Sequence, residues 1–164
     1  MKKLLISVAL IALAGSALAQ DAMKATRVKP NELTWKHNPA LPKGAQFAVL
    51  VGDPTKAEMV VQRVKFRANY QIPPHTHPYT EVVTVISGSI GFGMGEKFDK
   101  TKGEMVEAGT LNVIPTKHAH FAWTGNEEVI VQVQFTGLLA STTLTLLTIP
   151  ARRPSEAPIL IYCC

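Results

Sequence analysis

The sequence predicts an all-β fold in which short strands close into a sandwich or a barrel. Short runs rich in β-branched and aromatic residues recur along the chain, and turn residues divide them at strand-plus-turn spacing. No helical periodicity of useful length appears. So many short strands would leave open edges in a flat sheet, which favours closure.

Each predicted strand is an apolar or alternating run that a turn signal separates from the next. In chain order they are 47–51 before a Gly-Asp-Pro turn, 59–70, 82–86 before Ser-Gly-Ser, 89–94, 111–114 after Ala-Gly, 119–123 before Thr-Gly-Asn, and 129–135. The last strand alternates, with Val129, Val131, Val133 and Phe135 on one face and Ile130, Gln132 and Gln134 on the other. Either the glutamines face solvent or one of them lines a polar interior, because parity alone does not say which face is inside.

The first 19 residues have the pattern of a secretory signal peptide. Lys2 and Lys3 precede an apolar run, 4–14, that is too short to span a bilayer, and Ala17-Leu18-Ala19 supplies the small residues of a cleavage site. We expect cleavage after Ala19 and a periplasmic or secreted protein. The residue directly after the cleavage site is Gln20 and not a cysteine that could carry a lipid anchor, so we expect no membrane association of the mature chain.

The remaining chain is predicted to contain one domain with short extensions. Residues 20–45 are polar and irregular apart from Trp35 and form an N-terminal arm that docks on the body; 46–137 form the domain, and 138–164 form an atypical C-terminal tail. From 20 to 137 there are 13 Lys and Arg against 11 Asp and Glu, a net charge of +2. The basic residues are scattered, which argues against a nucleic-acid partner.

Histidines with one-residue spacing predict a metal site. His75 and His77 at i and i+2 of an extended segment face the same side, about 6–7 Å apart at Cα. Glu81 keeps the same parity, and His118 and His120 follow on a later strand. Neutral imidazoles with a carboxylate suit one divalent transition metal, whether iron, manganese, nickel, copper or zinc.

Two motifs that contain these residues resemble those of the cupin superfamily. Asn69-x5-His75-x-His77-x3-Glu81-x6-Gly88 is similar to the first cupin motif, G-x5-H-x-H-x3,4-E-x6-G. Gly109-x5-Pro115-x-Lys117-x2-His120-x3-Thr124 is similar to the second, G-x5-P-x-G-x2-H-x3-N. Three motif positions differ. Asn69 in place of glycine is a small change, since asparagine tolerates a left-handed conformation. Lys117 in place of glycine predicts a different turn before His120. Thr124 replaces the final asparagine.

The resemblance implies a small exported cupin with a double-stranded β-helix, or jelly-roll barrel, that holds one metal. The ligands it implies are His75, His77, Glu81 and His120. His118 shares the parity of His120 but not its motif position, so we place it at the pocket mouth or surface, and His37 at the surface. Candidates for an apolar wall around the ligands are Phe66, Phe92, Met94, Phe121 and Trp123.

Three functions are compatible with such a site. The first is a metal-dependent dioxygenase or related enzyme acting on a small organic molecule, with Glu81 as its catalytic base. The alternative is a non-catalytic module that binds a small ligand or metal, and a third function is a structural metal. Many cupins also pair as homodimers, although no residue here specifies the interface.

The tail after Gly137 departs from the ends of small exported cupins, which run through a Gly-Pro turn into a short extended end. Here Leu138 follows Gly137, and the string Leu-Ala-Ser-Thr-Thr-Leu-Thr is what such an end would give when translated out of frame. The hypothesis is a frameshift near codon 138, which resequencing of the gene in independent isolates would test.

Overall fold

A computed structural model describes residues 25–37, 41–137 and 159–160 of the chain. The described residues form eleven β-strands and two short 3₁₀ turns, which confirms the all-β prediction. The strands are β1 (Lys36–His37), β2 (Ala45–Val51), β3 (Met59–Phe66), β4 (Gln71–Thr76), β5 (Glu81–Ser87), β6 (Ser89–Met94), β7 (Gly103–Glu107), β8 (Leu111–Ile114), β9 (His120–Thr124), β10 (Val129–Thr136) and β11 (Ile159–Leu160). The predicted leader and most of the tail lie outside the described residues.

Two sheets face each other to form the jelly roll. The six-stranded sheet has the order β1-β2-β3-β10-β5-β8, and the five-stranded sheet has the order β11-β4-β9-β6-β7. Apart from β11, which runs parallel to β4, the paired strands are antiparallel. No helix in the described part of the chain is long and apolar enough to cross a bilayer.

The inner faces of both sheets form the hydrophobic core. In β10 the valines and Phe135 are buried, while Gln132 and Gln134 are half-buried on the opposite face. The valine face is therefore the inner one, and the glutamines do not line the interior. In β3 the inward positions are Val60, Gln62, Val64 and Phe66, of which Gln62 is the polar exception.

The N-terminal arm lies against the six-stranded sheet. β1 adds to the edge of β2, and the Lys65 ammonium lies 4.6 Å from the centre of the Trp35 ring. Further along, Leu41 is buried in the core, and the Tyr70 hydroxyl donates a 2.7 Å hydrogen bond to the carbonyl oxygen of Pro42.

Aromatic side chains cover the outer face of the five-stranded sheet. Phe121 and Trp123 on β9 point away from the barrel interior, yet they are 0% and 7% exposed because Phe98, in the segment after β6, packs over both rings. The neighbouring strand makes room for them with glycine: a Cβ on Gly91 would overlap the Trp123 ring, and one on Gly93 would overlap Phe121. The sheet is therefore packed on both faces.

Two turns keep a left-handed backbone conformation without glycine. Asn69 has φ +54°, as its match to a motif glycine predicts, and Lys117 has φ +62°. The expectation of a different turn at Lys117 is therefore wrong. The lysine adopts the glycine-like conformation itself, and its N–H donates a 2.8 Å hydrogen bond to the carbonyl oxygen of His77. A left-handed conformation costs a residue with a Cβ about 1–2 kcal/mol.

Replacing Lys117 with glycine should therefore stabilise the protein. Relief of the left-handed strain exceeds the extra entropy that glycine loses on folding, and we expect the free energy of unfolding to rise by about 0.5–1 kcal/mol. Urea unfolding measures the change. Lys117→Ala removes the same exposed charge but retains a Cβ, so it should leave stability unchanged. An equal gain in both variants would show that charge, not backbone conformation, matters here.

Thr124, the other non-matching motif position, holds β9 to the turn before β4. Its hydroxyl oxygen accepts a 2.8 Å hydrogen bond from the N–H of Tyr70 and donates one of 2.8 Å to the carbonyl oxygen of Arg67. Thr124 is 4% exposed, so loss of its hydroxyl would leave the N–H of Tyr70 and the carbonyl oxygen of Arg67 without this hydrogen-bond partner. Threonine thus performs a structural task at this position.

Candidate metal centre

The predicted ligands converge inside the barrel from both sheets. His75 on β4 and His120 on β9 are directly paired in the five-stranded sheet, and His77 lies one residue beyond the end of β4. Glu81 is the first residue of β5, which belongs to the six-stranded sheet. The alternation of side chains along one strand therefore does not explain its position, because a turn separates it from His75 and His77. All four side chains are buried.

The side chains lie close enough to share one ion. Candidate ligand nitrogens of His75, His77 and His120 lie within 4.8 Å of one another. The Glu81 carboxylate joins them, since its Oε2 is 3.5 Å from Nε2 of His77 and 3.4 Å from Nε2 of His120. The arrangement is compact enough for one small cation.

Backbone carbonyls orient two of the imidazoles. His75 Nδ1 donates to the carbonyl oxygen of Pro73 at 2.8 Å, and His120 Nδ1 donates to that of His118 at 3.0 Å. A carbonyl oxygen only accepts, so the proton of each neutral ring lies on Nδ1 and leaves the Nε2 lone pair available. This is the arrangement that metal-binding histidines use, and the donor set fits a divalent transition metal.

Local sequence features explain why the ligands are held in place. The pairing of β4 with β9 shifts register between Ile72 and His75, where Pro73 and Pro74 fix φ and remove two N–H donors from the ladder. Tyr79 packs between His77 and Phe135, with ring centroids 5.2 and 4.4 Å away. Tyr79 therefore positions a histidine as well as shaping the turn.

The environment of the site shifts the pKa of two of its groups. Burial, with a further contribution from His120, lowers the pKa of His75 to about 4. For Glu81, burial raises the pKa, but the hydrogen bond that a protonated His120 donates from Nε2 and the attraction of the three imidazoles in their charged forms outweigh it, so that the net effect is a lowered pKa. The cluster therefore favours a neutral His75 and an ionised Glu81 at neutral pH, which are the metal-binding forms.

Acid should destabilise the metal-free protein through His75. Its folded-state pKa, about 4, lies below the ordinary 6.5, so the unfolded chain binds the proton more readily and stability falls as pH drops from 6.5 towards 4. The difference corresponds to about 3 kcal/mol. Glu81 acts in the same direction, since a carboxylate with a lowered pKa loses its stabilising contribution on protonation.

Thermal melts of the metal-free protein between pH 7 and 4 measure this loss. His75→Leu removes the titrating ring and should reduce the pH dependence, whereas the exposed His118, changed to alanine, should leave it intact. An equal pH dependence in wild type and His75→Leu would contradict the assignment.

A mostly apolar cavity of about 60 Å³ adjoins the cluster. Of the predicted wall residues, Phe66 and Phe92 line it. Phe121 and Trp123 instead pack on the outer face of their sheet, and Met94 is 48% exposed. The strand alternation of β9 already separates Phe121 and Trp123 from the His120 face.

Leu41 and Gln62 are among the cavity-lining residues that were not predicted from the sequence. Leu41 comes from the arm, where no periodic pattern indicates burial. Gln62 is 2% exposed on the inner face of β3. The sequence does indicate its burial, because it occupies an inward position of an alternating strand between Val60 and Val64. His37 and His118 are exposed and stand outside the group of histidines that could hold a metal among the described residues.

Comparison with known proteins gives one family. The family model described as Cupin matches residues 54–147, which is more than half of the chain. None of the curated proteins is similar enough to match.

Solved structures share the fold at low sequence identity. The polyketide cyclase RemF from Streptomyces resistomycificus is 23% identical with a TM-score of 0.58, and the match covers 69% of this chain and 80% of that one. An RmlC-like cupin from Shewanella frigidimarina is 14% identical (TM-score 0.56; 70% and 93% covered), and the DMSP lyase DddQ from Ruegeria pomeroyi is 19% identical (TM-score 0.53; 70% and 62% covered). These similarities show the fold alone.

Proposed function

This chain belongs to the cupin family, and from that premise we propose that it binds one divalent transition metal and acts on a small organic molecule. The proposed ligands are His75, His77, Glu81 and His120. Iron, manganese, nickel, copper and zinc all suit three imidazoles and a carboxylate.

The observation that carries the proposal is the orientation of the imidazoles. His75 and His120 each donate Nδ1–H to a backbone carbonyl, and the Nε2 of His120 lies 3.4 Å from the Glu81 carboxylate. Histidines that only formed hydrogen bonds within the strands would not need to direct their free Nε2 atoms towards one common point. The buried position of Glu81 also calls for a positive partner.

The chemistry follows from what the chain places around the ligands. A divalent transition metal in this site would supply Lewis acidity and, where redox-active, reactivity towards dioxygen. The lowered pKa of Glu81 keeps its carboxylate ionised, so that it can accept a proton from a substrate. The apolar side chains of Phe92, Val83 and Val133 limit the access of water to this proton transfer.

Within this class we propose a dioxygenase or a related metal-dependent enzyme, with Glu81 as its base. The structures of similar fold that are named as a polyketide cyclase and a DMSP lyase support a catalytic use of the fold. The alternative is a non-catalytic module that binds a small ligand, and it predicts tight binding without turnover. Pairing as a homodimer stays a prediction.

Elemental analysis of the protein as isolated tests the metal, and oxygen uptake tests the reaction. We expect close to one transition metal per chain, and metal-dependent oxygen consumption with one member of a panel of phenols, thiols and diketones. If the protein is purified from cells grown in metal-replete medium and still contains no transition metal, the assignment of the site is contradicted. Full metal content without turnover of any panel member, together with saturable ligand binding, would favour the binding module.

We propose further that the protein is exported, on the basis of the signal pattern in residues 1–19. Fractionation of the native host, with immunodetection of the mature chain, tests this. The expected result is a processed form that begins at Gln20 in the periplasm or medium. An unprocessed chain in the cytoplasm would contradict it.

A further inference from the structure

Gln62 brings a polar group into an apolar part of the barrel. It lies on the inner face of β3 and is 2% exposed. Across the sheet its register partner on β10 is Val133, whose partner on β5 is Val83, and all three line the cavity. The inward neighbours on its own strand, Val60 and Val64, are also apolar.

Among the described residues the Gln62 amide forms no hydrogen bond, yet its atoms are not among the fully buried polar atoms that lack a partner, because the side chain borders the cavity. An amide on an otherwise apolar wall loses hydrogen-bonding free energy unless a partner in the cavity replaces bulk water, a loss that an aliphatic side chain would not incur. An amide at such a place needs water or a ligand from the cavity as its partner.

Gln62 and the metal cluster line the same cavity. Val83 follows Glu81 at the next inward position of β5, so Gln62 lies two strands across and one inward position along from Glu81. Sheet spacing puts their Cα atoms about 12 Å apart. Both side chains line the same cavity, so one small molecule that occupies it can contact both.

The size of the cavity limits what can bind there. A volume of about 60 Å³ is equivalent to only a few water molecules. Apart from the cluster, its lining is apolar with the exception of Gln62. The walls therefore match a short aliphatic segment with a polar group at each end.

We propose that Gln62 is a substrate-binding residue that recognises the distal polar group of a short oxygen-bearing molecule, such as a hydroxy or oxo carboxylate of two to five carbons. The carboxylate end faces the cluster, the aliphatic part contacts the valines, and the amide of Gln62 bonds the far hydroxyl or carbonyl. This inference rests on the proposed metal-binding function, because the near end of the molecule binds at that centre.

Ligand titration of the Co²⁺-loaded protein tests the proposal through its visible absorption. The probes are straight-chain carboxylates of two to five carbons, each paired with its terminal-hydroxy counterpart. For at least one chain length we expect the hydroxy acid to bind about tenfold more tightly than the plain acid, as one added hydrogen bond implies. In Gln62→Leu this preference should disappear while Co²⁺ content stays the same.

A matched control is Gln134→Leu, which makes the same change on the outer face of the adjacent strand and should keep the preference. A purely structural role for Gln62 predicts instead a lower melting temperature for metal-free Gln62→Leu, whereas ligand binding predicts an unchanged or higher one. Equal preferences in wild type and Gln62→Leu, or no carboxylate binding to the Co²⁺ protein, would overturn the proposal. Failure of the wild type to take up Co²⁺ would overturn the metal site itself, so the two failures are distinguishable.

Discussion

Changing His75 and His77 together to alanine should abolish stoichiometric metal binding. The two imidazoles are half of the proposed donor set, and the remaining pair, Glu81 and His120, cannot enclose an ion on its own. Elemental analysis after dialysis measures the loss, which we expect to be complete at micromolar free metal. The same variant should lose any oxygen uptake that the wild type shows.

Loss of metal must be separated from loss of fold. Removing two buried imidazoles leaves space in the core, which costs stability, but it also removes a ring whose pKa of about 4 reflects unfavourable burial of its charged form. Circular dichroism should therefore still show a β-sheet protein. His37→Ala with His118→Ala is the matched control, because both rings are exposed. Equal metal content in the two double variants would refute the ligand assignment.

Replacing Gly91 with alanine should destabilise the protein by about 3 kcal/mol, near the upper end for overpacking. The added Cβ would overlap the Trp123 ring. That ring cannot move away easily, because Phe121 lies beside it and Phe98 crosses it at 6.1 Å, with Lys100 at 5.7 Å from its centre. Urea or thermal unfolding measures the effect.

The matched control for this substitution is Gly125→Ala. A Cβ there would meet no atom within 4 Å, and its effect on the free energy of unfolding should stay below about 0.5 kcal/mol. The double variant Gly91→Ala with Trp123→Phe should recover part of the lost stability, since the smaller ring makes room. Similar losses at Gly91 and Gly125 would show that glycine flexibility, not the Trp123 contact, is important.

Alternation and turn residues predict most of this fold, and particular residues show where they fail. The run 59–70 appeared continuous because Phe66 and Tyr70 both suit strands, but the chain turns at Asn69 and a new strand, β4, begins at Gln71. β7 was not predicted from the sequence, because three of the five residues in Gly103–Glu107 are charged or glycine and the strand lies at an edge with Met105 exposed. Such an edge carries little hydrophobic signal.

Strand geometry predicted the pair His75 and His77, and motif spacing added Glu81 and His120 to the candidate site. His75, His77, Glu81 and His120 do meet, yet Glu81 reaches the others from the opposite sheet, a contact that no local pattern encodes. The turn at Lys117 was predicted wrongly because a lysine rarely adopts the left-handed conformation. Here the hydrogen bond from its N–H to the carbonyl oxygen of His77 accompanies that conformation. Gln62 could have been found by asking which inward position of an alternating strand is polar.

A cluster drawn from both sheets has a consequence for the lifetime of the protein. An ion held by Glu81 on one layer and by His75 and His120 on the other would act as a reversible cross-link between layers that are otherwise joined by packing and loops. Binding to the folded chain alone adds about 2.7 kcal/mol at a free metal concentration 100-fold above the dissociation constant. Resistance to proteolysis would then follow the metal supply of the surroundings, and chelation would shorten the survival of the chain before it altered any reaction rate.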